Sequence, residues 1–81
     1  MHELAITEGI IKLVDSRAKE LGFKKCLAIT LAVGEYSGVE PGCIEYYFPI
    51  AAKGTAAENA AIRFSSSPEP FRCYVENLEV E

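Results

Sequence analysis

The sequence predicts an α/β (α+β) domain with two helices and three strands, and two periodicities carry that reading. Over residues 4–21 apolar side chains recur at three- and four-residue steps, as on an amphipathic helix. Leu27, Ile29, Leu31 and Val33 then alternate with Ala28, Thr30 and Ala32, the period of a strand with one face on a core. Size supplies a third observation. A chain of 81 residues, 49% hydrophobic and 25% charged, is composed like one globular domain, yet is small enough for its core to be marginal.

Ile6, Ile10, Ile11, Val14, Ala18 and Leu21 form the apolar face of the first helix, with Glu8, Lys12, Asp15, Lys19 and Glu20 opposite. Gly22 is expected to close it at positive φ, with Phe23 packing back on the last turn as in a Schellman motif. Gly34 ends the first strand. Residues 35–40 read as a loop, and Pro41 as the first residue of a second helix, where its missing N–H does no harm. Cys43, Ile44, Tyr47, Phe48 and Ala51 mark that helix's apolar face and Gly54 closes it. Pro49 removes a hydrogen bond to the Glu45 carbonyl, which predicts a kink or an early stop.

Ala60, Ile62 and Phe64 alternate with Ala61 and Arg63 as a second strand, and residues 65–70 form a turn. The last stretch, 71–81, has strand composition but a broken phase. Phe71, Cys73 and Val75 share one parity, whereas Leu78 and Val80 share the other. If both halves face one core, a bulge or break must fall near Glu76 and Asn77.

Charge and composition narrow the function classes. Eight basic against twelve acidic residues give −4 with no basic stripe, which argues against a nucleic-acid partner. No apolar run reaches the roughly 18–20 residues of a membrane span, and no leader pattern opens the chain, so a cytosolic protein is expected. Cys26, Cys43 and Cys73 form neither a C-x-x-C pair nor a disulfide framework, and are expected as buried thiols acting as small hydrophobes. With no Ser-His-Asp set and no phosphate-binding glycine loop, an enzyme is not expected.

The chemistry concentrates in Met1-His2-Glu3-Leu4. The α-amine of Met1, the amide nitrogen between Met1 and His2, and Nδ1 of His2, the only histidine, can close two fused chelate rings nearly in a plane. Such nitrogen-rich tetragonal coordination suits Ni(II) or Cu(II), not Zn(II), Mg(II) or Ca(II). Glu3, or a carboxylate from elsewhere, could supply a fourth donor. The plain alternative is a solvated terminus; a first helix docked from its first turn would decide against it.

Four stretches in order resemble one known family. They are Met1-His2-Glu3-Leu4 ahead of an amphipathic helix; Leu31-Ala32-Val33-Gly34-Glu35-Tyr36-Ser37 with an acid at Glu40; Phe48-Pro49-Ile50-Ala51-Ala52-Lys53-Gly54-Thr55-Ala56-Ala57-Glu58; and Leu78-Glu79-Val80-Glu81. Together they look like the HypA/HybF family of hydrogenase-maturation nickel metallochaperones, and the likeness spans nearly the whole chain. The resemblance implies two helices on one side of a three-stranded sheet. It also implies Ni(II) held by Met1, His2 and neighbouring backbone amides, with Glu3 and Glu40 as supporting or additional ligands. The implied function is delivery of Ni(II) for [NiFe] hydrogenase maturation, with maturation proteins or a nickel-enzyme precursor as partners.

The chain departs from that family in one respect. Members carry a zinc-binding lobe with two C-x-x-C pairs before the last strand, and only Phe71-Arg72-Cys73 resembles the approach to it. No structural zinc is therefore expected. Residues 1–81 read as a single nickel-binding domain, with the lobe's insertion point near 73–77. The unpaired edges of a three-stranded sheet invite association, which leaves room for a homodimer. A metal-independent interaction or assembly module that keeps only the scaffold is the alternative function. Glu40 also has a plain use as an acid at a helix start.

Overall fold

The computed structural model describes residues 2–81 and has the expected elements: α1 (Glu3–Leu21), β1 (Cys26–Val33), α2 (Pro41–Ala51), β2 (Ala61–Ser66) and β3 (Cys73–Val80). The sheet order is β2-β1-β3, with β1 parallel to β2 and antiparallel to β3. A parallel pair needs a long crossover, and α2 supplies it. No helix among the described residues is long and apolar enough to cross a membrane.

The core lies on one face of β1. Ile29 and Leu31 meet Ile10, Ile11 and Val14 of α1 and Ile44 and Phe48 of α2. Two side-chain hydrogen bonds set how the helices lie. At their starts the Glu40 N–H donates to Glu3 Oε2 (3.1 Å), and toward their ends the Ala56 N–H donates to Asp15 Oδ1 (2.9 Å). The helices therefore run side by side in the same direction. Ala56 is tied twice, because its carbonyl also accepts the Cys26 N–H at 2.8 Å. Thr55 Oγ1 donates to the Ala52 carbonyl and accepts from the Ala57 N–H. The stretch 54–58 thus fastens α2 and β1 to α1.

On the opposite face Arg63 of β2 pairs with Glu79 of β3 (2.7 Å), and Ser65 Oγ donates to Glu76 Oε1 (3.0 Å). Both contacts reach across β1. The small residues Ala28 and Ala32 beneath them are only 3% and 0% exposed. Such exposed pairs contribute little energy.

The broken phase of the last stretch resolves as expected. Thr30 pairs with Asn77 and Leu31 with Val75, leaving Glu76 as the extra residue of a bulge. Cys73, Val75 and Leu78 consequently pack on the same core. A second irregularity was not legible: Cys26 pairs with Val80 and Ala28 with Glu79, which makes Leu27 the extra residue. Cys26 takes the inward place, and Leu27, expected on the core face, is 52% exposed.

Other expectations need correction. The helix carries Pro49 within its final turn and ends at Ala51, with the Ala52 N–H on the Phe48 carbonyl. That is the early stop, and Gly54 (φ +78°) lies in the turn beyond it. Cys43, assigned to the apolar face, is exposed, while Cys73 is half-buried and only Cys26 is fully buried. Phe71 and Val80 are also exposed; Phe71 precedes β3 and packs on Tyr36 with ring centroids 5.8 Å apart. Gly22 closes α1 in the αL conformation (φ +81°), its N–H on the Ala18 carbonyl, and Phe23 packs against the core.

Residues 67–72 carry the chain from β2 to β3 across the end of β1. Three backbone bonds fix them: Gly34 N–H to Arg72 O (2.7 Å), Tyr36 N–H to Pro70 O (2.6 Å) and Ser67 N–H to Val33 O (3.1 Å). A Cβ at Gly34 would lie 2.5 Å from the Glu69 carbonyl oxygen and closer still to that of Pro70. Gly34→Ala is therefore expected to lower stability by about 1–3 kcal/mol through backbone overpacking, read from the urea midpoint. An unchanged midpoint would mean that the crossing does not press on this position.

Candidate metal centre

The candidate centre begins where α1 begins. His2 is the N-cap residue (φ −116°, ψ 38°), and its carbonyl accepts the first helical bond, from the Ile6 N–H at 2.9 Å. Its side chain is exposed. The first N–H groups of a helix have no partner inside it. Backbone nitrogens at His2 and Glu3 therefore stand outside the helical ladder, and binding an ion there need not break it. Met1, the other half of the predicted chelate, lies outside the described residues.

Glu3 occupies the first helical position and is only 5% exposed. Its Oε2 accepts the Glu40 N–H. Its carbonyl accepts Thr7 Oγ1 at 2.7 Å, and Thr7 is fully buried. Glu40 is the N-cap of α2 (φ −99°, ψ 107°), with an exposed side chain that makes no capping bond. A negative charge here is favoured by the positive ends of both helices. The structure thus brings Glu3 and Glu40 together, a buried side chain of one on the backbone of the other, beside exposed His2.

Among the described residues no three His, Cys, Asp or Glu side chains form a group that could hold a metal ion. The imidazole of His2 and the backbone nitrogens beside it are donors of the kind that suit an ion accepting tetragonal nitrogen. Two of the thiols, Cys26 and Cys73, are not poised to add to it. Burial pushes the Cys26 thiol above its ordinary range, only partly offset by its hydrogen bond to the Ala28 carbonyl, and burial likewise raises Cys73. A groove of about 390 Å³ beside Phe48, Pro49 and Lys53 holds none of the predicted site residues.

The residue that sequence reasoning missed is Thr7. The signal was present: Glu3 and Thr7 continue, at the same spacing, the buried stripe of Ile10, Ile11 and Val14. Two polar residues on an apolar stripe are informative, because buried polar groups need partners.

Comparison with known proteins shows the family. All 81 residues match the family described as "HypA: Hydrogenase/urease nickel incorporation, metallochaperone, hypA". A protein named hydrogenase maturation factor HypA from Dehalococcoides mccartyi (strain 195) is 38% identical over 73 residues, which are 90% of this chain and 61% of that protein. Its namesake from Aeromonas hydrophila is 39% identical over 74 residues, 91% of this chain and 66% of that protein. The chain thus spans somewhat less than two thirds of the length of these relatives. The solution structure of the Ni metallochaperone HypA from Helicobacter pylori shares the fold, with a TM-score of 0.76 at 14% identity, covering 100% of this chain and 87% of that one.

Thr7→Val keeps the shape of the side chain and removes the hydroxyl donor. It is expected to lower stability by about 1 kcal/mol and to speed amide exchange in the first turn of α1, followed by NMR. Unchanged exchange there would show that the hydroxyl does not hold the helix start. Cys43 is expected to react with a disulfide reagent well before Cys73, and Cys26 last, since attack needs an accessible thiolate. A burst from two thiols would contradict this order.

Proposed function

Because the chain belongs to the HypA family, whose members incorporate nickel and are not enzymes, we propose that it binds Ni(II) at its amino terminus and delivers the ion for assembly of a [NiFe] hydrogenase. The ion is cargo. The Met1 amine, the His2 amide nitrogen and His2 Nδ1 hold it, and Glu40 offers a carboxylate at the same pole. The observation that supports this reading most is the docking of α1 from its first residue, through Glu3 to Glu40, which keeps exposed His2 at a fixed position.

Delivery requires release as well as binding, and an open terminal site with few ligands suits both. The recipient is a hydrogenase-maturation protein or the precursor of a nickel enzyme, met in the cytoplasm. Binding through His2 and the terminus calls on no structural zinc, and residues 1–81 serve as one nickel-binding domain. The outer edges of β2 and β3 are unpaired among the described residues, so a homodimer through either edge is compatible with the same use.

Protons compete with the metal for the amine, the amide and the imidazole, so affinity falls as pH drops. Calorimetric titration with Ni(II) is expected to show binding that weakens steadily as the pH is lowered, because protons and the ion compete for the same donors. His2→Ala and a short extension ahead of Met1 are each expected to weaken binding by about tenfold or more. Unchanged affinity in both variants would overturn the proposal and leave a metal-independent assembly module.

A further inference from the structure

We infer that Glu3 is a positioning residue and not a nickel ligand: its carboxylate holds the start of α1 against the start of α2, leaving Glu40 as the acid that can meet the ion. This rests on the nickel reading of the site and assigns different work to its two acids.

Three observations separate them. First, Glu3 lies on the buried stripe of α1 with Thr7, Ile10, Ile11 and Val14, so its side chain is directed into the interface between the helices. Second, its Oε2 is engaged by the Glu40 N–H, and its backbone carbonyl by the fully buried Thr7 hydroxyl. Turning this carboxylate to the ion would take the acceptor from the Glu40 N–H in a partly buried place, and an unsatisfied donor there is costly. Third, Glu40 has an exposed side chain and makes no side-chain hydrogen bond or ion pair among the described residues. It can turn to an ion without breaking anything.

Glu3 then acts as an outer-shell group does at a metal centre. It orients the backbone that carries the ligands and does not touch the metal. Thr7 supports it by fixing the carbonyl of the same residue.

Nickel titration and the ligand-field absorption of the Ni(II) complex distinguish the roles, measured on the parent, Glu3→Gln, Glu3→Ala and His2→Ala. Gln keeps an oxygen that can accept the Glu40 N–H but is a poor nickel ligand. Glu3→Ala is expected to bind Ni(II) about tenfold more weakly, and Glu3→Gln to restore affinity to within about threefold of the parent with the parent's absorption. Glu3→Gln binding as weakly as Glu3→Ala, or with a shifted absorption, would overturn the assignment. So would Glu3→Ala binding as tightly as the parent. Should circular dichroism show Glu3→Ala unfolded, Glu3→Gln decides alone by the same two criteria. His2→Ala separates the levels. Affinity unmoved by that change brings down the terminal site and this assignment with it, whereas a loss in His2→Ala beside a failed Gln rescue brings down only the role of Glu3.

Discussion

The hydrogen bond from the Glu40 N–H to the Glu3 carboxylate joins residues 37 apart and ties the start of α1 into the fold. Chain ends fray unless something ties them down. Here the tie is made at the first helical residue, and the Asp15–Ala56 bond repeats it toward the other end of the same helix. Both bonds end on a carboxylate, and they fix how α1 lies while Ile10, Ile11 and Val14 bury its apolar face.

The topology explains why Glu40 is there to be met. Parallel pairing of β1 with β2 forces the chain to return the length of the sheet through α2. The loop leaving β1 must therefore rise to the end of the sheet where α1 starts. Gly34 opens that loop beneath the backbone of residues 67–72, at a distance no side chain allows. The crossing, the loop and the helix start are thus stacked at one pole, and each is held by backbone bonds.

Much of this was legible in the residues. The limits of α1, the Gly22 cap and the bulge at Glu76 follow from local period and parity, which need no knowledge of partners. What escaped depended on partners. Leu27 and Cys26 exchange faces because β3 sets a second bulge, and parity within β1 cannot reveal it. Cys43 is exposed because α2 is apolar on nearly every side, with Tyr46 and Ile50 also outside, so its sequence does not choose which side meets the sheet. The candidate site divides in the same way: the chelate proposed at Met1 and His2 is read from neighbouring residues alone, whereas the engagement of Glu3 with Glu40 exists only once the helices pack.

A cation at this pole faces an electrostatic difficulty that also accounts for the acids found there. Two helix starts converge, and the positive ends of their dipoles disfavour a metal ion within the first turn. The buried carboxylate of Glu3 offsets part of that field without approaching the ion, and exposed Glu40 adds a second negative charge. In the proposed complex, loss of the amide proton supplies a further negative charge only when nickel arrives. Binding is then favourable while that proton is absent and is weakened when it returns. In the proposed cargo site, release would then be built into the acid–base chemistry of the ligands themselves.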